Sequence, residues 1–491
     1  MYKSFFFFSF ILATVNLRAQ NASDALRYSL RQYLGSARYV GVGGSMSAIG
    51  GDFEAIADNP ASLANYHFSE ISLTPSLYYN QNKSQLGNGS FSSENKYGGS
   101  LDHLGLVFVK NGYDREKWRN VNFAIGVTKV ADYNHQTYFL GSTTGSITDH
   151  WREQSLNKAP ANLDNYSGGL AYDAGAIYDS NNDQVYESDF TNYPNVPVTK
   201  SQLIKSSGSM NELSFSLAGN LKDYLMIGAS VGIPILSYNE VKIYTESDPA
   251  NKNPVFEGLQ YTEYLKTQGS GINLKLGAII KVHNAFRIGL SFQTPTAFEL
   301  NDTYSTKLDY SYLEKGQVQS QSKTSPETGA FNYNLITPMR ARASFGSVIG
   351  KLGFFGGSVE YVNYKSASFN FNAQGTTQSD IDYQNKINQD ITKQYSSAFN
   401  YNLGGEIAVD VLRFRAGINL TGSPYANEKD YTQTFTAGIG YRGGKFFTDL
   451  ALRHTSYDDG YYPYTTASND PQFVYTKHQQ NRLVLSLGYK F

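Results

Sequence analysis

Few residues in this chain are placed to do chemistry. The stretch "YVGVGGSMSAIGGDFEAIADNPASLA", residues 39–64, packs Gly41, Gly43, Gly44, Gly50 and Gly51 into eleven positions, and Asn59, Pro60 and Ala61 follow. Glycine-dense loops can cradle phosphate, but a P-loop needs Gly-Lys-Ser/Thr, and a dinucleotide fingerprint would need a glycine where Met46 stands. The remaining roles are a surface turn, or backbone that must approach a neighbour more closely than a side chain allows. Arg340 and Arg342 alternate with Met339, Ala341 and Ala343. They would share one face of a strand, where a pair of guanidiniums could hold a ligand carboxylate. The same arginines could instead form a ladder with Glu360, Glu406 and Asp449. The seven histidines are scattered, without metal spacing. In "RHTSYDD", Arg453–Asp459, His, Ser and Asp lie in one extended run whose consecutive residues point to opposite faces, and the group is not expected to converge as a triad. No catalytic residue, metal ligand or cofactor is therefore expected.

The elements that carry these residues are strands. Val121, Phe123, Ile125 and Val127 alternate with Asn122, Ala124, Gly126 and Thr128. The same period of two recurs around Leu225–Ile233, Phe286–Gln293, Leu412–Leu420 and Leu483–Phe491. The second face holds Gly, Ser, Asn and Arg rather than the Lys and Glu of a soluble sandwich, which suits a polar lumen and an apolar lipid face. Short connections near Lys222-Asp223, His283-Asn284, Gly350-Lys351, Asp410-Val411 and Gly443-Gly444 alternate with long ones over 134–207 (the longest), 247–257, 313–327, 371–394 and 461–472. These features predict an all-β, antiparallel transmembrane barrel of about 14 strands, with the long connections outside.

Composition agrees. The net charge of −1 gives no basis for nucleic-acid binding, cysteine is absent, and 14% of the 491 residues are aromatic. Lys3, the apolar run Phe5–Val15 and Ala19 read as a cleaved secretory leader over 1–19, since eleven apolar residues are too few to span a bilayer as a helix. Residues 20–66 then precede the first strand, and 67–491 form the barrel. A lumen of fourteen strands is too wide for side chains alone to fill, so the 20–66 segment is expected inside it as a plug.

At this point the sequence resembles a known family. "SARYVGVGGSMSAIGGDFEAIADNPASLA" is similar to the N-terminal hatch of FadL/TodX-type outer-membrane transporters, and "ALRYSLRQYLGSARYVG" is nearest the Bacteroidetes branch, often labelled hemin receptors. "FRIGLSFQTPTAFEL" and "TPMRARASFG" carry the likeness into the barrel. The resemblance implies a monomeric fourteen-stranded barrel in the cell outer membrane. It also implies passive uptake of long-chain fatty acids or aromatic hydrocarbons, gated by the hatch. The hatch motif maps onto Asn59, Pro60 and Ala61; this chain departs at Ser62, where many relatives have Gly. A terminal strand ending in Phe491 resembles the signal read by the barrel-assembly machinery. No histidine spacing supports the haem label. Some relatives serve in protein export, so a surface-protein assembly scaffold is the alternative expectation.

Overall fold

The structure, a computed structural model, describes residues 21–112, 117–325, 329–371, 377–467 and 472–491. The leader expected over 1–19 lies outside the described residues.

One antiparallel sheet closes on itself. In chain order its strands are β1 (Glu70–Leu86), β2 (Ser92–Asn111), β3 (Trp118–Asp132, continued by His135–Thr143), β4 (Val198–Leu221), β5 (Leu225–Ser247) and β6 (Phe256–His283). There follow β7 (Phe286–Gln293 and Ala297–Glu314), β8 (Gly329–Ile336 and Arg340–Ile349) and β9 (Gly353–Asn363 and Ser368–Asn370). The ring is completed by β10 (Ser397–Val409), β11 (Leu412–Gly422), β12 (Tyr431–Gly443), β13 (Phe446–Tyr461) and β14 (Val474–Lys490). Fourteen strands result, and β14 pairs back onto β1 from Lys490↔Glu70 to Val474↔Leu86, leaving no edge along the seam.

Alternation decides what each face meets. On β14, Leu483, Leu485, Leu487 and Tyr489 are exposed, whereas Val484 and Ser486 are buried. On β3, Val121, Phe123 and Val127 point out while Asn122, Ala124 and Thr128 are enclosed. Repeated around the ring, this produces an exterior belt of Leu, Ile, Val, Phe and Tyr and an interior rich in Ser, Thr, Asn and paired charges, the arrangement of a membrane barrel. Among the described residues no helix is long and apolar enough to cross a membrane.

Several strands break partway. β7 is interrupted at Thr294-Pro295-Thr296 and β8 at Thr337-Pro338-Met339, because proline donates no ladder hydrogen bond. The two breaks are stitched together: Thr337 N donates to Thr296 O at 3.0 Å, and Thr296 N donates to Thr337 Oγ1 at 3.1 Å. The next strand, β9, is interrupted by a 3₁₀ turn over Tyr364–Ser366.

The long connections differ from expectation in three places. The one expected over 134–207 runs only over 144–197, since His135–Thr143 continues β3 and β4 begins at Val198. The segment 313–327 contains a hairpin arm, Gln317–Thr324, paired with β7. The segment 371–394 contains a helix, Gln378–Gln394. Residues 144–197 fold over the outer end: Ser146 caps the helix Ile147–Ser155, with Ser146 Oγ and Ile147 N both donating to Glu246 on β5. Trp151 sits edge-on to Tyr261 and Phe190 lies 4.8 Å from Phe256, so this cap is pinned by aromatic packing.

Candidate functional site: the lumen and residues 21–66

Residues 21–66 form α1 (Ala22–Ser29), α2 (Ala37–Gly41), α3 (Phe53–Asp58) and a 3₁₀ helix (Pro60–Asn65). Each begins with a side-chain cap: Asn21, Ser36, Asp52 and Asn59 respectively accept hydrogen bonds from backbone N–H groups of the first turn. Without such caps, helices of five to eight residues would have little reason to form.

The segment lies against the inward side of almost every strand, with glycine on both sides of the contact. Gly43, Gly44, Gly50 and Gly51 have φ between 62° and 72°, a region L side chains avoid. Gly41 is different. It is helical, and a Cβ there would stand 3.4 Å from the Cα of Gly438 on β12. On the wall, a Cβ at Gly404 (β10) would meet Val42 O at 2.2 Å, and one at Gly417 (β11) would meet Val42 C at 2.3 Å. A Cβ at Gly277 (β6) would meet Asn59 Oδ1 at 2.0 Å, and one at Gly228 (β5) would meet Pro60 C at 2.5 Å. Phe53 fills the space that side chains on Gly105 (β2) and Gly126 (β3) would need. The wall therefore presents a girdle of bare backbone at the height of the segment.

Asn59, Pro60 and Ala61 occupy the β5–β7 part of this girdle. Asn59 is fully buried and extended, at φ −145° and ψ 103°, as a residue before proline prefers. Its Oδ1 accepts from Ala61 N at 3.1 Å, and its Nδ2 donates to Ala278 O on β6 at 3.4 Å. The triplet thus turns the chain from α3 into the 3₁₀ helix while bonding to the wall.

Of the two roles open to Arg340 and Arg342, the ladder is the one the structure shows, with both guanidiniums bound to carboxylates of the protein. Arg340 reaches Glu360 at 2.9 Å and Ser29 O; Arg342 reaches Glu360 at 2.7 Å and Asp58 at 3.0 Å. Asp58 also accepts from Tyr39 Oη at 2.6 Å and lies 3.4 Å from Arg31. A second ladder ties Arg38 to Glu406 at 3.1 Å, Arg415 to Glu406 and Asp449 at 2.6 Å each, and Arg442 to Asp449 at 2.9 Å. Sequence reasoning named Glu360, Glu406 and Asp449 as partners but missed Asp58, Arg31 and Arg38, which carry each ladder from the wall to residues 21–66. Glu54 is buried as well; desolvation first, and the Asp52 carboxylate second, push its carboxyl well above the usual range.

Above the girdle, α1 stands among aromatics. Tyr28 lies edge-on to Tyr133 and Tyr238 at 6.3 and 6.2 Å, and Ala22, Ala25 and Leu26 join a buried cluster with Phe298, Tyr333, Phe369 and Phe371.

One part of the wall has no backbone ladder. β2 pairs with β3 only from Asn111↔Asn120 to His103↔Thr128, and beyond that point Ser92–Leu101 pairs with β1 alone. The upper part of β3 turns inward: Asn80 and Asn82 of β1 donate to its carbonyls at Asn134 and Gln136. Side chains bridge the opening, with Lys96 Nζ donating to Ser206 O and Lys129 Nζ to Ser100 Oγ, both at 2.6 Å.

The structure is thus a closed fourteen-stranded membrane barrel with residues 21–66 packed against its inward face. Solved structures share this fold. The Pseudomonas aeruginosa FadL homologue superposes with a TM-score of 0.56 at 13% identity, covering 94% of this chain and 100% of its own. The P. putida toluene transporter TodX gives 0.53 at 12% identity, covering 94% of this chain and 99% of its own. The Ralstonia pickettii toluene transporter TbuX gives 0.51 at 14% identity, with the same coverage of both chains. No family profile matches the chain, and no curated protein matches it.

Proposed function

We propose that this chain is an outer-membrane channel for uptake of hydrophobic molecules, fatty acids or aromatic hydrocarbons, with residues 21–66 as its gate. The observation that carries this reading is the girdle. A plug fixed only as filler would be packed with side chains; one seated on bare backbone and held by two salt-bridge ladders can lift as a unit. The barrel fold shared with toluene transporters and a FadL homologue supports the cargo class. A hydrophobic molecule reaching the aromatic cluster around α1 recovers about 25 cal/mol for each Å² it buries. Its exit is the unladdered opening between β2 and β3, which gives onto the membrane. Export through the leader over 1–19 and insertion through the strand ending at Phe491 complete the proposal, with the closed seam suiting a monomer.

The absence of cysteine permits a direct test. Ala37 N donates to Ser486 Oγ of β14 at 2.8 Å, so Ala37→Cys with Ser486→Cys brings plug and wall within disulfide reach. Oxidised, the double variant is expected to lose uptake of radiolabelled palmitate; reduction is expected to restore it. Equal uptake in both states would remove the gate from the proposal.

A further inference from the structure

His478, on the inward face of β14, is 4% exposed and sits between two oxygen acceptors. Its Nδ1 lies 2.7 Å from Asn82 Oδ1 on β1, and its Nε2 lies 2.8 Å from Asp459 Oδ1 on β13. The Asn82 amide is oriented from its other end, since its Nδ2 donates to Gln136 O on the upper part of β3 at 2.5 Å. A neutral imidazole carries one N–H and one lone pair, so it can serve only one of the two acceptors; the imidazolium serves both. The Tyr457 ring lies 4.5 Å from the imidazole and within 13° of parallel, a stacking that suits a cation.

The contact does not end at Asn82. Gln136 Nε2 donates to Glu94 Oε2 on β2 at 2.9 Å. A chain of hydrogen bonds therefore runs through Asp459, His478, Asn82, Gln136 and Glu94, from β13 across the β14–β1 seam to both sides of the β2–β3 opening. Glu94 lies on the part of β2 that pairs with β1 alone, and Asn82 is its direct cross-strand neighbour. The opening has no backbone ladder, so these side-chain bonds are among those that hold the inward turn of β3 against β1 and β2.

Loss of the ring proton is felt along that chain. The anionic Asp459 claims the one remaining N–H, and Nδ1 then presents a lone pair to Asn82 Oδ1. Turning the Asn82 amide by half a revolution restores a bond to the ring. It also brings Oδ1 against Gln136 O and removes the donor that holds β3. The amide thus has two discrete settings, and the charge on the ring selects between them. Two other titratable groups stand at this corner. His135 on β3 also feels the charges of Glu240 on β5, Arg27 on α1 and Asp459, and Tyr457 feels Asp459, Arg453 and Tyr425.

We propose that His478 is a proton switch on the wall opening. Charged, it fixes the Asn82 amide and holds the upper part of β3 against β1 and β2. Neutral, it lets the amide turn and frees that segment. The held arrangement binds a proton that the freed one does not, so acid favours the first and rising pH favours the second. With the opening as the exit, uptake is expected to be faster at pH 8.0 than at pH 5.5. That consequence rests on the uptake reading, whereas the switch itself does not.

The test follows hydrogen–deuterium exchange of the purified full chain in detergent micelles at pH 5.5 and pH 8.0. Rates are converted to protection factors, which removes the intrinsic pH dependence of exchange. Protection over residues 135–143 is expected to fall about tenfold or more at the higher pH, the effect of losing one charge-assisted hydrogen bond, while the lower part of β3 changes little. His478→Phe keeps a ring on Tyr457 without a proton to lose and should show the low value at both pH values. Asn82→Asp should do the same, because it removes the donor to Gln136. His135→Gln should keep the step, which assigns it to His478. No step in wild type, a full step in His478→Phe or Asn82→Asp, or a step lost in His135→Gln would each overturn the switch. A step in exchange with palmitate uptake equal at both pH values would uphold the switch and count against the opening as the exit.

Discussion

Gly417→Val is expected to unseat the plug segment and leave the barrel standing. A Cβ at Gly417 would lie 2.3 Å from Val42 C and 2.4 Å from Gly43 N. Both are backbone atoms, so no rotamer change can make room. Gly43 cannot retreat easily either: its own Cβ position is 3.0 Å from Ile418 N, and its φ is 62°. The strand itself has no need of glycine there. Gly417 pairs with Gly404 and Thr436 in an unbroken ladder, and valine favours strands. The cost therefore falls on the plug. In planar bilayers the variant is expected to show single-channel conductance roughly tenfold or more above wild type, since a fourteen-strand lumen without its plug exceeds what side chains alone can fill. Ala416→Val, one residue away on the lipid face, is the control and should conduct like wild type. Unchanged conductance in Gly417→Val would mean that the segment does not close the lumen.

Glu360→Gln is expected to give the largest loss of stability. Glu360 is buried and accepts from Arg340, Arg342 and Asn400 at 2.9, 2.7 and 3.0 Å. Neutralising it leaves two enclosed guanidiniums with a single remaining carboxylate, Asp58, which already serves Arg31 and Tyr39. Removing one member of a buried ion network costs about 3–5 kcal/mol, because the orphaned charges remain desolvated. The loss should appear as a lower urea midpoint for refolding into vesicles. It should be accompanied by faster amide exchange near Ser29 and Asp58, where the two arginines grip the plug. A midpoint within error of wild type would show that the ladder is too hydrated to matter. Replacing Arg340, Arg342 and Glu360 together by apolar residues of similar volume should cost less than Glu360→Gln alone, since no charge is then stranded.

The wall was legible because one rule, alternation, governs every residue that meets lipid. Val121, Phe123 and Val127 point out because their neighbours Asn122, Ala124 and Thr128 cannot, and the two-residue turns such as Lys222-Asp223 carry the positive φ that tight reversals need. Legibility ended where that rule ends. His135–Thr143 sets Tyr138, Phe139 and Leu140 side by side instead of alternating apolar with polar, so it gave no period, and the connection expected from residue 134 looked longer than it is. The glycine stretch announced close contact without saying with what, because the complementary glycines lie on strands far away in the chain. Gly228, Gly277, Gly404 and Gly417 were visible as small residues on polar faces, yet their shared height follows only from register. Arginine roles stayed open between two readings for the same reason. Arg340 and Arg342 alternate with apolar neighbours, and only the register of the paired strand brings Glu360 to them.

The central claim is that this barrel admits hydrophobic molecules through a lumen that residues 21–66 control. It is tested most directly by the rate at which radiolabelled palmitate and toluene enter outer-membrane vesicles made with and without the protein. Faster entry of palmitate into vesicles that carry the chain, abolished when Ala37→Cys and Ser486→Cys are oxidised, is the predicted result. Entry of both compounds at the same rate with and without the protein would contradict it.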